Sequence, residues 1–156
     1  MRFIELTHNM QAVVDDEDYD SLTAIGSWHA KKSRTGQGYY ACCSKYQVGY
    51  LTMHRVIMQA EKGVEIDHIN GNGLDNRKAN LRAATRRQNA RNRGKTAANT
   101  SGFKGVFWHK DTSKWQASVG VDYKLHHLGL FLTKEEANEV ACAFRAKAHG
   151  AFARDK

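Results

Sequence analysis

Cysteine is scarce in this chain: Cys42 and Cys43 are adjacent, Cys142 stands alone, and no C-x-x-C pair occurs. Neighbouring cysteines rarely bridge each other and zinc knuckles need paired thiols, so neither a disulfide framework nor a structural zinc is expected. There is no apolar run long enough to cross a bilayer, and the opening MRFIELTHNM has no apolar core of a secretory signal. These absences fit a soluble protein of the reducing cytoplasm, with no membrane partner. Acid is missing where base is dense. From Arg77 to Lys114 eleven basic residues meet one acid, Asp111, while acids gather in DDEDYD at Asp15–Asp20. The totals are 24 Lys+Arg against 16 Asp+Glu, a net charge of +8. Such asymmetry points to a polyanionic partner, nucleic acid first; a solvated basic face is the plain alternative.

What is present reads as α+β. A length of 156 residues allows one domain or two small ones. RFIEL (2–6) and QAVV (11–14) are strand-like, and DEDYDSLTAIG suggests a short acidic helix ending at Gly26. A hairpin is expected around Gly36–Gly38, with Trp28 and the Tyr39–Tyr40 pair on its arms as core residues. VGYLTMHRVIMQA reads as a strand passing into a helix near His54. GKTAANTSG (94–100 and onward to Gly102) has no periodicity and reads as a linker. Beyond it lie three strands, then a helix opened by the capping box Thr133-x-x-Glu136, with Ala137, Val140, Ala141, Phe144 and Ala148 on one face. A sheet backed by one helix leaves its other face open.

Chemistry concentrates in VEIDHINGNGLDNRKANLRAATRRQNARNR, residues 64–93. VEIDH is strand-like, NGNG suits a tight loop, NLRAA a return strand, and Thr85-x-x-Gln88 caps a helix running from about Arg86 to Arg93. Strand, loop, strand and helix bring Asp67, His68, Asn80 and Asn89 together as converging polar groups. Asp and Asn oxygens with open water positions suit Mg²⁺ or Mn²⁺. A neighbouring histidine can take a proton from a water attacking phosphorus. Arg82, Arg86, Arg87, Arg91 and Arg93 would hold flanking phosphates, and Lys104, Trp108, Lys110 and Lys114 are further DNA-contact candidates. His54 is either an accessory group of the site or a structurally satisfied histidine. A capping acid in a surface turn is the plain alternative for Asp67–His68. An EF-hand starting at Asn70 fails, because Leu74 and Leu81 stand where ligands are needed.

These residues carry a resemblance. DH followed by Asn80 and Asn89 resembles the HNH nuclease motif in the variant whose last histidine is asparagine. MHRVIMQA through QNARNR is similar to the HNH homing-type endonucleases of phages and mobile introns. SGFKGVFWHKDTSKWQASVGV with LHHLGLFLTKEEANEVA resembles the AP2-type DNA-binding domain often attached to them. The resemblance implies a ββα-metal nuclease core at residues 1–93 (motif 54–93), a linker at 94–100 and an AP2-like three-stranded sheet with one helix at 101–156. It implies one divalent ion on Asp67 and Asn89, His68 as general base, and Asn80 tying the loop that aims it. Double-stranded DNA would be cut to 5′-phosphate and 3′-hydroxyl ends by a phage-encoded protein, monomer or homodimer, in a bacterial host. The plant AP2 arginines correspond here to Phe107 and Gly120, which favours phosphate binding over base reading. A non-catalytic DNA-binding regulator with a degenerate core, and a nuclease acting on RNA, are the rival readings.

Overall fold

The computed structural model describes residues 1–33, 38–45, 49–92, 94–95 and 98–155. Arg93, most of the tip of the hairpin expected at Gly36–Gly38 and part of the expected linker lie outside them. The chain divides into two compact units, Met1–Asn89 and Ala90–Lys156.

In the first unit, β1 (Arg2–Glu5) and β2 (Gln11–Val14) pair as an antiparallel hairpin ahead of α1 (Asp16–Ile25). Asp16, Glu17 and Asp18 fill the first turn of α1, where negative charge complements the helix dipole. β3 (His29–Lys32), β4 (Tyr39–Lys45) and β5 (Gly49–Thr52) form a meander that runs into the short α2 (Met53–Ile57). β6 (Glu65–His68), β7 (Leu81–Ala84) and α3 (Arg86–Arg91) then give the strand–strand–helix order expected from the motif. α3 stops at Arg91, short of the expected Arg93, and Asn92 sits in a turn. Both halves of the Thr85–Gln88 capping box are made: Gln88 Oε1 accepts from the Thr85 N–H at 2.9 Å and Thr85 Oγ1 from the Gln88 N–H at 3.2 Å.

The core of this unit joins its strands to α1 and α2: Val14, Leu22, Trp28, Ala41, Cys43, Met53, Ile66 and Leu81 are buried together. Trp28 satisfies its indole N–H on the Leu22 carbonyl at 2.9 Å. The leader also grips the long β6–β7 loop. The Val13 N–H donates to the Leu74 carbonyl and the Val13 carbonyl accepts from the Asn76 N–H, both at 2.8 Å. Asp15 accepts from the Lys78 N–H at 2.8 Å, and the Lys78 ammonium reaches Glu17 at 2.6 Å and Asp18 at 3.1 Å.

The second unit is a meander of β8 (Val106–His109), β9 (Lys114–Val121) and β10 (Lys124–Phe131), followed by α4 (Lys134–His149). The Thr133–Glu136 capping box opens α4 as expected. Its buried stripe differs from the expected one. Val140 is exposed, and the inward positions are Ala137, Ala141, Arg145 and His149, every fourth residue. Both polar residues find acceptors inside, and among the described residues the buried Nδ1 of His149 has no hydrogen-bond partner. Arg145 donates to Asp155 at 2.7 Å and to the Lys104 carbonyl at 2.8 Å, and His149 Nε2 pairs with the Gly120 carbonyl at 3.1 Å. Gly105 lets β9 approach closely: a Cβ there would fall 2.5 Å from the Ser118 carbonyl oxygen and 3.2 Å from Arg145 Nη1.

Candidate active site

The register of β6 on β7 decides which groups meet. Asp67 lies directly opposite Arg82, and His68 opposite Leu81. Alternation along β6 then puts Glu65 and Asp67 on one face, His68 on the other.

On the first face Asp67 is buried, and Arg82 donates to its Oδ2 from Nε at 2.8 Å and from Nη2 at 2.6 Å. The Arg82 side chain is only 16 % exposed. Arg82 was expected among the phosphate contacts. Its guanidinium is instead directed into the hairpin, because cross-strand neighbours on one face are within bonding reach. From α3, the Asn89 Nδ2 donates to Glu65 Oε2 at 2.8 Å. Asp67 and Asn89 therefore approach the same face of β6, with Glu65 as the residue Asn89 touches. Glu65 was absent from the expected set. Its place two residues before Asp67 on a strand was the available signal.

On the second face His68 is buried among side chains from three other segments. Its ring centroid lies 5.0 Å from that of His54 and 5.8 Å from that of Tyr40. Its Nε2 sits 3.4 Å from Asn76 Oδ1. His54 is thus part of the site, stacked edge-on against His68. Tyr40, expected as core, is a half-open ring over both histidines. Gly73 lets it in: a Cβ at that position would be 2.6 Å from the Tyr40 ring. Neither Tyr40 nor Asn76 carried a local signal, since both arrive through long-range packing.

Asn80 is buried and ties the loop at three points. Its Oδ1 accepts from the Asn70 N–H at 3.0 Å, and its Nδ2 donates to Asn70 Oδ1 at 3.1 Å and to the Asp75 carbonyl at 2.7 Å. Asp75 is held below the usual carboxylate range by the Arg77 guanidinium beside it. The loop between the strands is thus a closed polar network with His68 at its base.

The electrostatics keep the histidines uncharged. Burial lowers His68 from the ordinary imidazole range, against the opposing pull of Asn76, Asp67 and Asp75. Burial, with His68 and Arg55 adding to it, pushes His54 down to about 3. A neutral imidazole is the form that can accept a proton. For His54 the sign of the pH effect follows directly. Below the ordinary value of 6.5 the unfolded chain binds a proton that the folded chain refuses until about pH 3. Stability therefore falls on acidification through that window. His54→Phe should flatten the fall, read as denaturant midpoints at pH 7 and pH 4.5; equal losses in both proteins would remove His54 as the cause.

Among the described residues no three His, Cys, Asp or Glu side chains cluster as a metal cage. The donor set would be the Asp67 carboxylate, whose Oδ2 already accepts from Arg82, and one amide oxygen. Hard oxygens of this kind, with remaining positions left to water and phosphate, suit Mg²⁺ or Mn²⁺. The Asn89 amide fits that use, because its nitrogen is committed to Glu65 and its oxygen is the atom remaining. Arg86 and Arg87 are exposed on α3.

In the second unit the open sheet face is defined by register. Trp108 is opposite Trp115, and Phe107 is opposite Gln116. Trp115 packs in the cluster under α4, so Trp108, stacked on it at 5.0 Å, belongs to the helix side. The open face carries Phe107, Lys114, Gln116, Ser118 and His127, with Gln116 Nε2 2.6 Å from His127 Nδ1. Lys110 and Lys114 are exposed. Lys104 is not a surface cation: its ammonium donates to the carbonyls of Arg91 at 2.9 Å and Arg154 at 3.1 Å. Burial, then neighbouring Arg145, lowers its pKa to about 8. Arg91 itself pairs with Asp122 at 2.8 Å.

The comparisons with known proteins fall on the same stretch. The family model for HNH endonucleases matches residues 52–91, from the end of β5 through α3. Protein 3.8 of Escherichia phage T7 is 38% identical over 95 residues, which cover 60% of this chain and 76% of that protein. The uncharacterized HNH endonuclease L560 of Acanthamoeba polyphaga mimivirus is 28% identical over 114 residues, 69% of this chain and 58% of that one. No solved structure matches the chain. The matched segment contains His54, Asp67, His68, Asn80 and Asn89 together, so the chain belongs to one family with phage T7 protein 3.8, carries an HNH endonuclease domain at residues 52–91, and is a nuclease of the hydrolase class.

Proposed function

We propose that the protein is a divalent-metal-dependent DNA endonuclease of the site-directed homing type, leaving 5′-phosphate and 3′-hydroxyl ends. The observation that carries this is a buried His68 and a buried Asp67 on opposite faces of one strand end, with Asn89 arriving from α3 on the face of the acid. Asp67 and Asn89 would hold one Mg²⁺ or Mn²⁺, which when bound polarises the phosphoryl oxygens and steadies the leaving 3′ oxygen. His68 takes the proton from the attacking water. Asn80 keeps the loop closed so that the imidazole stays aimed, while His54 and Tyr40 wall it from bulk solvent. Exposed Arg86 and Arg87 hold phosphates beside the scissile one.

The second unit, read as an AP2-like module, would lie on the duplex through the open face of its sheet. Lys110 and Lys114 are its exposed phosphate contacts, and Lys104 acts inside the fold. Replacing Lys110 and Lys114 together with alanine should reduce the slope of log affinity against log salt by about one unit per lost contact. Cleavage at saturating DNA should be unchanged. An unaltered slope in filter-binding titrations would place the DNA elsewhere. The whole reading is tested by incubating supercoiled plasmid with Mg²⁺ or Mn²⁺, beside EDTA and His68→Ala controls. Metal-dependent nicking lost in both controls is expected; cutting that survives EDTA would overturn it.

A further inference from the structure

We infer that Glu65 is a positioning residue that selects which end of the Asn89 amide faces the metal. This rests on the reading of Asn89 as a ligand. An asparagine amide is nearly symmetric in shape, with an oxygen on one side and an NH₂ on the other. Only the oxygen can bind a cation; the NH₂ end would oppose one. The backbone of Asn89 is already fixed, its N–H bonded to the Thr85 carbonyl at 2.9 Å under the capping box. That bond does not choose between the two ends of the side chain. Glu65 does. Asn89 Nδ2 donates to Glu65 Oε2 at 2.8 Å, so the carboxylate oxygen takes the NH₂ end of the amide. The oxygen is thereby turned to the other side of the amide. Glu65 is two residues from Asp67 on the same face of β6, so one strand supplies both a candidate ligand and the residue that orients its partner. Groups that orient a ligand in this way commonly change metal affinity by about 10–100-fold.

The test is Mn²⁺ binding to the full chain, read by paramagnetic resonance of the free ion, with no cleavage involved. Glu65→Ala should weaken binding at least about tenfold. Glu65→Gln can offer either end of its own amide to Asn89, so its affinity should fall between those of the parent and Glu65→Ala. In an Asn89→Asp background both ends of the side chain are oxygens, so orientation is no longer needed. There, Glu65→Ala should not weaken binding and should improve it, by removing a carboxylate facing a carboxylate. If Glu65→Ala binds Mn²⁺ as the parent does, or if Glu65→Gln fails as badly as Glu65→Ala, the inference is overturned. Loss in the Asn89→Asp background equal to that in the parent also overturns it, and this pair stands even if the single alanine variant folds poorly. Asn89→Ala separates the two claims: unchanged Mn²⁺ affinity in that variant removes Asn89 as a ligand and the inference with it.

Discussion

His68→Ala should lower the single-turnover cleavage rate by about 100-fold or more, the usual contribution of a positioned general base. Duplex affinity, measured in Ca²⁺ by fluorescence anisotropy, should be nearly unchanged. The distinction matters because His68 is buried and touches Tyr40, His54 and Asn76, so removing it leaves a void as well as a missing base. His68→Asn is the control. It fills most of the volume and can still meet Asn76, but it cannot take a proton at neutral pH. Equal loss of rate in both variants, with only the alanine form losing thermal stability, identifies proton acceptance as the missing function. If the asparagine form cuts like the parent, the base lies elsewhere.

The second large effect concerns Asp67. Asp67→Ala should abolish metal-stimulated cleavage and also destabilise the protein, because it removes the carboxylate to which the largely buried Arg82 donates twice. Removing one member of a buried ion pair typically costs about 3–5 kcal/mol. Replacing both members avoids the stranded charge. Asp67→Ala/Arg82→Met should therefore regain much of the lost stability in urea denaturation while remaining inactive on plasmid. A double variant as unstable as the single one would show that the destabilisation comes from somewhere other than Arg82. Recovery of cleavage in it would remove Asp67 from the chemistry.

Much of this was legible before the fold was seen, and the reason is range. Capping boxes act over three residues, so Thr85–Gln88 and Thr133–Glu136 were readable as they stand. Asp67 and His68, expected to converge, stand instead on opposite faces of β6, because neighbouring side chains on a strand alternate. What failed depended on register or on distant contacts. Arg82 reads as one more arginine in a basic run until the β6–β7 pairing sets it against Asp67; a long intervening loop does not fix that register. Lys104 reads as a surface cation until the carbonyls of Arg91 and Arg154 are found around it. On α4 the periodicity was right but the content was not. Arg145 replaces Val140 inside because its donors reach Asp155 and the Lys104 carbonyl, partners that no helical pattern names. Tyr40 reaches His68 only because Gly73 has no side chain.

The hydrogen bonds from Val13 to the β6–β7 loop, and the acids that hold Lys78, carry one practical consequence. The stretch shared with other HNH enzymes begins at residue 52, yet the strut that braces its β6–β7 loop is made some forty positions upstream. Anyone transplanting this nuclease domain onto another protein has to carry the opening hairpin and acidic helix along with it. A cassette cut at the edge of the recognisable motif would leave its own loop without a buttress.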